Sequence, residues 1–221
     1  MNSLLTKEIF FSGSLFLDLI LEYKYPWEAI GNIREIIKRA ISTLDDKYEK
    51  IGGDVYVFRG VSLPKSAEII GPTIICQGAE IRHGAYIRGG VIVGCGAVVG
   101  NSTEIKDTIL FDGACLPHYN YAGNSIIGKG AHMGAGAIIS NLKGNKSNVS
   151  ISYNGAKIET KLRKLGAILG EGVEVGCGSV LNPGTIVLGG TQIYPLSSVR
   201  GVLGSNLIYK SQGNIVKKAD K

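Results

Sequence analysis

ICQGAEIRHGAYIRGGVIVGCGAVVG, residues 75–100, keeps time in sixes. Ile75, Ile81, Ile87, Val93 and Val99 stand six apart, and four places after each of the first four comes a small or compact residue: Ala79, Ala85, Val91 and Ala97. A period of six means a short strand followed by a tight corner, and three such units close one triangular coil of about 18 residues. Coils then stack as parallel strands ~4.8 Å apart, so a residue and the one a coil later lie nearly on top of each other. The beat extends back to Ile69 and on through Ile105, Phe111 and Pro117. A second run keeps it at Ile127, Met133 and Ile139, and a third at Leu169, Val175, Leu181, Val187, Ile193 and Val199. Together they predict an all-β chain built as a parallel solenoid over residues 61–205.

Two segments fall outside the beat. Residues 1–60 read as helical: after Pro26, a favoured first-turn residue, Ile30, Ile33, Ile37, Ile41, Leu44 and Tyr48 share one face, and such a helix would plug or flank the open end of the prism. The second is an excursion at about 141–167, where SISYNGAKIET alternates around Asn154-Gly155, a two-residue hairpin signal. Lys143, Lys146, Lys157, Lys161, Arg163 and Lys164 concentrate the basic surplus on this arm, which is either a solvated hairpin or a surface that faces an anion. Residues 206–221 read as a tail.

Composition narrows the class. Glycine, at 32 of 221 residues, is about twice its usual share while proline is scarce, which excludes collagen and a disordered linker. No apolar run approaches the ~20 residues of a membrane helix, and MNSLLTKEIF lacks the layout of a signal peptide. A soluble cytoplasmic chain is expected, with no membrane or nucleic-acid partner. Cys76, Cys95, Cys115 and Cys177 form no CxxC pair and sit where small residues would serve, so they read as buried free thiols, and no metal site is expected.

The coil turns spacing into geometry. Arg88 and Lys106 each follow an aliphatic anchor eighteen residues apart and should stack on one face, either with an anion such as phosphate between them or as two solvated charges. His118 lies two faces further round, reachable to the same ligand only across the seam of a threefold trimer. After it the anchors jump from Pro117 to Ile127, a slip that carries Tyr119, Asn120 and Tyr121 and sets Asn141 one layer above the imidazole. An imidazole suits a general base because it changes charge between about pH 5 and 8. His83, inside a regular hexad, reads as structural.

IRGG from Ile87, GNSTEIKDT from Gly100, PHYNYAGNSIIG from Pro117 and GAHMGAGAIISN from Gly130 resemble the acetyltransferase domain of the bifunctional N-acetylglucosamine-1-phosphate uridyltransferase/glucosamine-1-phosphate acetyltransferase. The stretch from Arg163 to Pro195 resembles the C-terminal domain of related sugar-1-phosphate nucleotidylyltransferases that also acetylate amino-sugar phosphates, and YPWEAIGNIREII, from Tyr25, resembles the join between their two domains. The resemblance implies a left-handed parallel β-helix of hexapeptide repeats and an acetyl-CoA-dependent N-acetyltransferase of nucleotide-sugar and cell-envelope biosynthesis, active between subunits of a homotrimer. His118 would then be the general base and Asn141 would orient the histidine or the acetyl group. Tyr121 would contact the sugar, and Arg88 and Lys106 would hold its phosphate. His132 stands where the family has a substrate-binding asparagine, Leu142 where a tyrosine follows Asn141, and Lys146 is the nearest candidate for a family lysine. The nucleotidylyltransferase domain has no counterpart in these residues, so that activity is not expected. A non-catalytic trimeric scaffold that partners a nucleotidylyltransferase in trans is the alternative.

Overall fold

In the computed structural model, which describes residues 4–219, the inward residues of the repeat form one continuous apolar column from Val55 to Tyr209. Their strands stack along three faces of a left-handed parallel β-helix. The first face carries Tyr86–Arg88, the opening halves of Glu104–Leu110 and Tyr121–Ile127, then Ile138–Ile139 and Val180–Leu181. The second carries Thr73–Ile75, Val91–Val93, the closing halves of those two long strands, Ala167–Leu169 and Thr185–Val187. The third carries Val98–Asn101, Cys115–His118, His132–Met133 and Glu174–Val175. Hairpins close the column at both ends, Tyr48–Gly52 with Val55–Phe58 and Leu207–Ser211 with Asn214–Lys217.

The coil is not uniformly eighteen residues long. Thr73 pairs with Val91 at that spacing, but Val91 pairs with Thr108 and Thr108 with Ser125, seventeen residues on. The missing residue is taken out at the corner between the first and second faces, where Asp107 (φ 44°) and Asn124 (φ 50°) adopt the left-handed conformation that Asx residues tolerate. Both corners are tied alike: the Thr108 hydroxyl donates to the Lys106 carbonyl at 2.8 Å and the Ser125 hydroxyl to the Gly123 carbonyl at 2.9 Å. This corrects the expected position of the slip. The inward residues are Leu110, Leu116 and Ala122 rather than Phe111 and Pro117, and the phase changes at Asp107, before His118.

The helices of the N-terminal segment cover a side of the prism, and its hairpin takes the end. Helices α1 (Thr6–Ile9), α2 (Leu17–Leu21), α3 (Pro26–Gly31) and α4 (Ile33–Ser42) are followed by the Tyr48–Gly52 strand, so residues 48–58 are a β-hairpin where helix was expected. Ile33, Ile36 and Ile37 of α4 and Trp27 of α3 pack in one cluster with Ile74, Ile92, Ile109, Ile126, Ile168 and Ile186, the outward residues of the second face. Each of those six is an isoleucine followed by an inward aliphatic residue, so the face is apolar on both sides, as strands buried on two sides are. Phe10 meets Phe111 at 5.4 Å, and the backbone N–H groups of Phe11 and Ser12 donate to the Glu171 carboxylate, pinning the segment further along the coil.

The excursion does not project freely either. Ser150–Tyr153 and Ala156–Glu159 pair antiparallel about an Asn154-Gly155 turn with φ of 49° and 75°. Val149, Ile151 and Leu165 are buried in the same apolar cluster as the helices, which folds the arm back beside them. All four cysteines are free, but only Cys76 is buried, and Cys177 is exposed. Among the described residues no helix is long and apolar enough to cross a membrane.

Candidate active site

The His118 loop is held by its neighbour. Asn120 is 3% exposed, and its Nδ2 donates to the carbonyls of Gly134 (2.8 Å) and Ala137 (3.2 Å) in the next coil. Its Oδ1 accepts from the His118 N–H at 3.1 Å. The asparagine therefore fixes the backbone that presents His118 at the rim where the third face ends. Among the described residues no hydrogen bond reaches the His118 ring, which is exposed beside Tyr119, itself 65% exposed. What lies over His118 is Gly136, whose N–H donates to its carbonyl at 3.0 Å. Asn141 does not lie over the imidazole as expected, because the lost corner residues carry it round to the next corner.

There Asn141 donates from Nδ2 to Asn124 Oδ1 at 2.7 Å, and it shares a narrow space with the Tyr121 hydroxyl. Gly123 makes that space: a Cβ added to it would fall 2.6 Å from Asn141 Nδ2 and 2.7 Å from Tyr121 Oη. Burial, with the nearby Glu104 charge, raises the Tyr121 phenol above its ordinary value, which keeps it a neutral donor. Tyr121, Asn124 and Asn141 thus form one polar cluster on the edge of the first face.

Arg88 and Lys106 sit on that face, stacked as the spacing implies, but each already has a carboxylate. Arg88 Nη1 lies 2.6 Å from Glu104 Oε1, and Lys106 Nζ lies 3.4 Å from Asp107 Oδ2. The Glu104 hydrogen bond raises the Arg88 pKa, and its guanidinium also lies 5.6 Å from the centre of the Tyr86 ring. His132 is on the third face, in register with Cys115 below and Glu174 above, and its Nδ1 is 3.0 Å from Glu174 Oε2. A single chain therefore groups Arg88, Lys106, Tyr121 and Asn141 at its first face and leaves His118 and His132 on its third. Lys146 faces a cavity beside Asp107 and Asn124.

Sequence reading missed Gly123, Asn124, Glu104 and Asp107, and it named Asn120 only as part of the slip. Its available signal was the pair Lys106-Asp107-Thr108 and Gly123-Asn124-Ser125, an Asx before a hydroxyl residue seventeen positions apart.

Fold and repeat define a hexapeptide-repeat protein of the left-handed β-helix class. Residues 69–202 match the model of the GMPPB C-terminal domain, and the chain belongs to that family. A bifunctional sugar-1-phosphate nucleotidylyltransferase/acetyltransferase of Sulfurisphaera tokodaii is 32% identical over 111 residues, 50% of this chain and 28% of that protein. The bifunctional protein GlmU of Methanococcus maripaludis strain S2 is 29% identical over 199 residues, 88% of this chain and 48% of its own length, and that of Methanococcus vannielii is 31% identical over 198 residues, 87% and 47%. The chain thus spans about half or less of these relatives. Among solved structures, PerB of Caulobacter crescentus in complex with CoA and GDP-perosamine gives a TM-score of 0.33 at 13% identity, over 63% of this chain and 53% of that one. The acetyltransferase domain of PglB of Neisseria gonorrhoeae in complex with acetyl coenzyme A gives 0.32 at 16%, over 80% and 64%.

Proposed function

We propose that this chain is an acetyl-CoA-dependent N-acetyltransferase whose acceptor is an amino-sugar phosphate, of the glucosamine-1-phosphate or galactosamine-1-phosphate kind. The observation that carries this reading is the cluster at Gly123, where a glycine leaves room for one amide and one phenol aimed at the same space. Three copies assemble so that the first face of one meets the third face of the next, which unites the two groups of polar residues that one chain keeps apart. The acceptor amine attacks the thioester carbonyl while His118 takes the amine proton. The tetrahedral oxyanion is held by an N–H of the Asn141 amide that turns from the Tyr121 hydroxyl, a contribution on the order of 3 kcal/mol for one well-aimed donor. Collapse forms the amide, and the proton leaves with the coenzyme A thiol. Tyr121 contacts the sugar, with His132 and Lys146 lining the acceptor side. Arg88 and Lys106 hold the phosphate, which must share them with Glu104 and Asp107.

That sharing is the one observation favouring a second reading, a non-catalytic trimeric scaffold for a sugar nucleotidylyltransferase, since the stacked cations are neutralised within the chain. The two readings separate in a thiol-release assay with acetyl-CoA against glucosamine 1-phosphate, galactosamine 1-phosphate and amino-nucleotide sugars, run beside His118→Ala. Thiol release that the substitution abolishes supports the enzyme. No release with any acceptor supports the scaffold.

A further inference from the structure

A cavity of about 840 Å³ opens where three separate parts of the chain meet: the α3–α4 junction, the corner residues Asp107 and Asn124, and the excursion. Its charges are unevenly committed. Glu35 is paired with Lys38 at 2.8 Å, and Asp107 has Arg34 at 3.0 Å and Lys106 at 3.4 Å. Lys146, Arg163 and Lys164 line the same cavity, and among the described residues none of them has a carboxylate partner. Three unneutralised cations around one concavity repel one another, and an anion between them removes that cost. Asp107, 8% exposed, is already committed: its Oδ1 is closed off from solvent beside Arg34, and Lys106 lies at its Oδ2. A ligand that brings several negative oxygens would satisfy the two lysines and the arginine together. The volume lies toward the upper end of the ~300–1,000 Å³ typical of small-molecule pockets, more than one phosphorylated monosaccharide fills.

We propose that this cavity binds the diphosphate of a nucleotide, with Lys146, Arg163 and Lys164 on the phosphates. A diphosphate can arrive on a nucleotide-linked acceptor or on coenzyme A, and the two sources share this chemistry.

Binding is read without turnover, so it stands apart from acetyl transfer. Calorimetry on the full chain uses inorganic pyrophosphate, uridine and guanosine diphosphates, coenzyme A and inorganic phosphate. The diphosphates bind, inorganic phosphate binds at least tenfold more weakly, and Arg163→Gln/Lys164→Gln, at two exposed positions, weakens the diphosphates at least tenfold with an unchanged melting temperature. Equal affinity of the double variant, equal affinity for phosphate and pyrophosphate, or no diphosphate binding at millimolar concentration overturns the proposal. A second arm rests on the acetyltransferase reading. In the double variant a tenfold rise in KM for the nucleotide-linked acceptor alone assigns the site to the acceptor, and one for acetyl-CoA alone assigns it to the donor. Turnover with no change in either KM removes the cavity from the reaction. Absence of turnover with any acceptor sinks the enzymatic reading while the calorimetry still decides the site.

Discussion

Gly123→Ala isolates the candidate site from the fold. The added Cβ would stand 2.6 Å from Asn141 Nδ2 and 2.7 Å from Tyr121 Oη, against the 3.4 Å where ordinary contact begins, so both tips must retreat by about 0.7–0.8 Å. Both are ends of side chains rather than backbone, and no left-handed φ is required at this glycine, so the chain accommodates the methyl group by moving these tips. Stability should change by no more than about 1 kcal/mol, part of it a gain from a less flexible unfolded chain. Catalysis is far less tolerant, since a misplacement of ~1 Å can cost about 100-fold. Acetyl transfer by Gly123→Ala should therefore fall between about 10- and 100-fold, with a melting temperature within a few degrees of the parent. Gly52→Ala, where nothing lies within 4 Å of the added methyl, is the control and should leave both unchanged. A Gly123→Ala protein with parental turnover would show that Tyr121 and Asn141 do not act from the positions described.

Asn120→Ala removes the two bonds to Gly134 and Ala137 and the acceptor for the His118 N–H, and should lower stability in urea by about 2–4 kcal/mol along with turnover. Parental stability would mean the His118 loop is held some other way. Ile92→Ala opens a void between α4 and the second face and should cost about 2–5 kcal/mol. Ile51→Ala, half-exposed in the N-terminal hairpin, should stay within about 0.5 kcal/mol, and equal costs would contradict the burial of the second face by the helices. Cys95 has its thiol pKa lowered to about 7, chiefly because the Cys76 thiol hydrogen-bonds to its sulfur, which in turn raises Cys76. The thiolate of Cys95 thus accumulates as pH rises through about 7, and its alkylation rate should reach half its maximum there, against about 8.5 for a free thiol. A midpoint at or above 8.5, read by mass spectrometry, would rule out the Cys76 contact.

The stacked, three-faced coil could be read from the recurrence of inward aliphatics, because burial at a fixed period leaves a signal at every repeat. The one-residue shortening could not be read in the same way. Asp107 and Asn124 save a residue by entering a left-handed conformation that only the hydroxyl residue after each announces, and counting in sixes then assigned Phe111 and Pro117 to the core and put Asn141 over His118. The course of the N-terminal segment was written in the chain, in the doublets Ile74-Ile75, Ile92-Val93, Ile109-Leu110 and Ile126-Ile127, whose first members needed a cover. Attention to the inward partner alone passed over them. At the site, Arg88 and Lys106 stack as their spacing implies, but Glu104 and Asp107 reach them from the same strand, a pairing that depends on side-chain direction rather than on period.

Thiol release from acetyl-CoA in the presence of an amino-sugar phosphate, compared between the parent chain and His118→Ala, tests the central claim most directly. The account predicts acceptor-dependent release by the parent and its loss in the variant, with the oligomeric state of the two proteins unchanged. Equal release by both would contradict it.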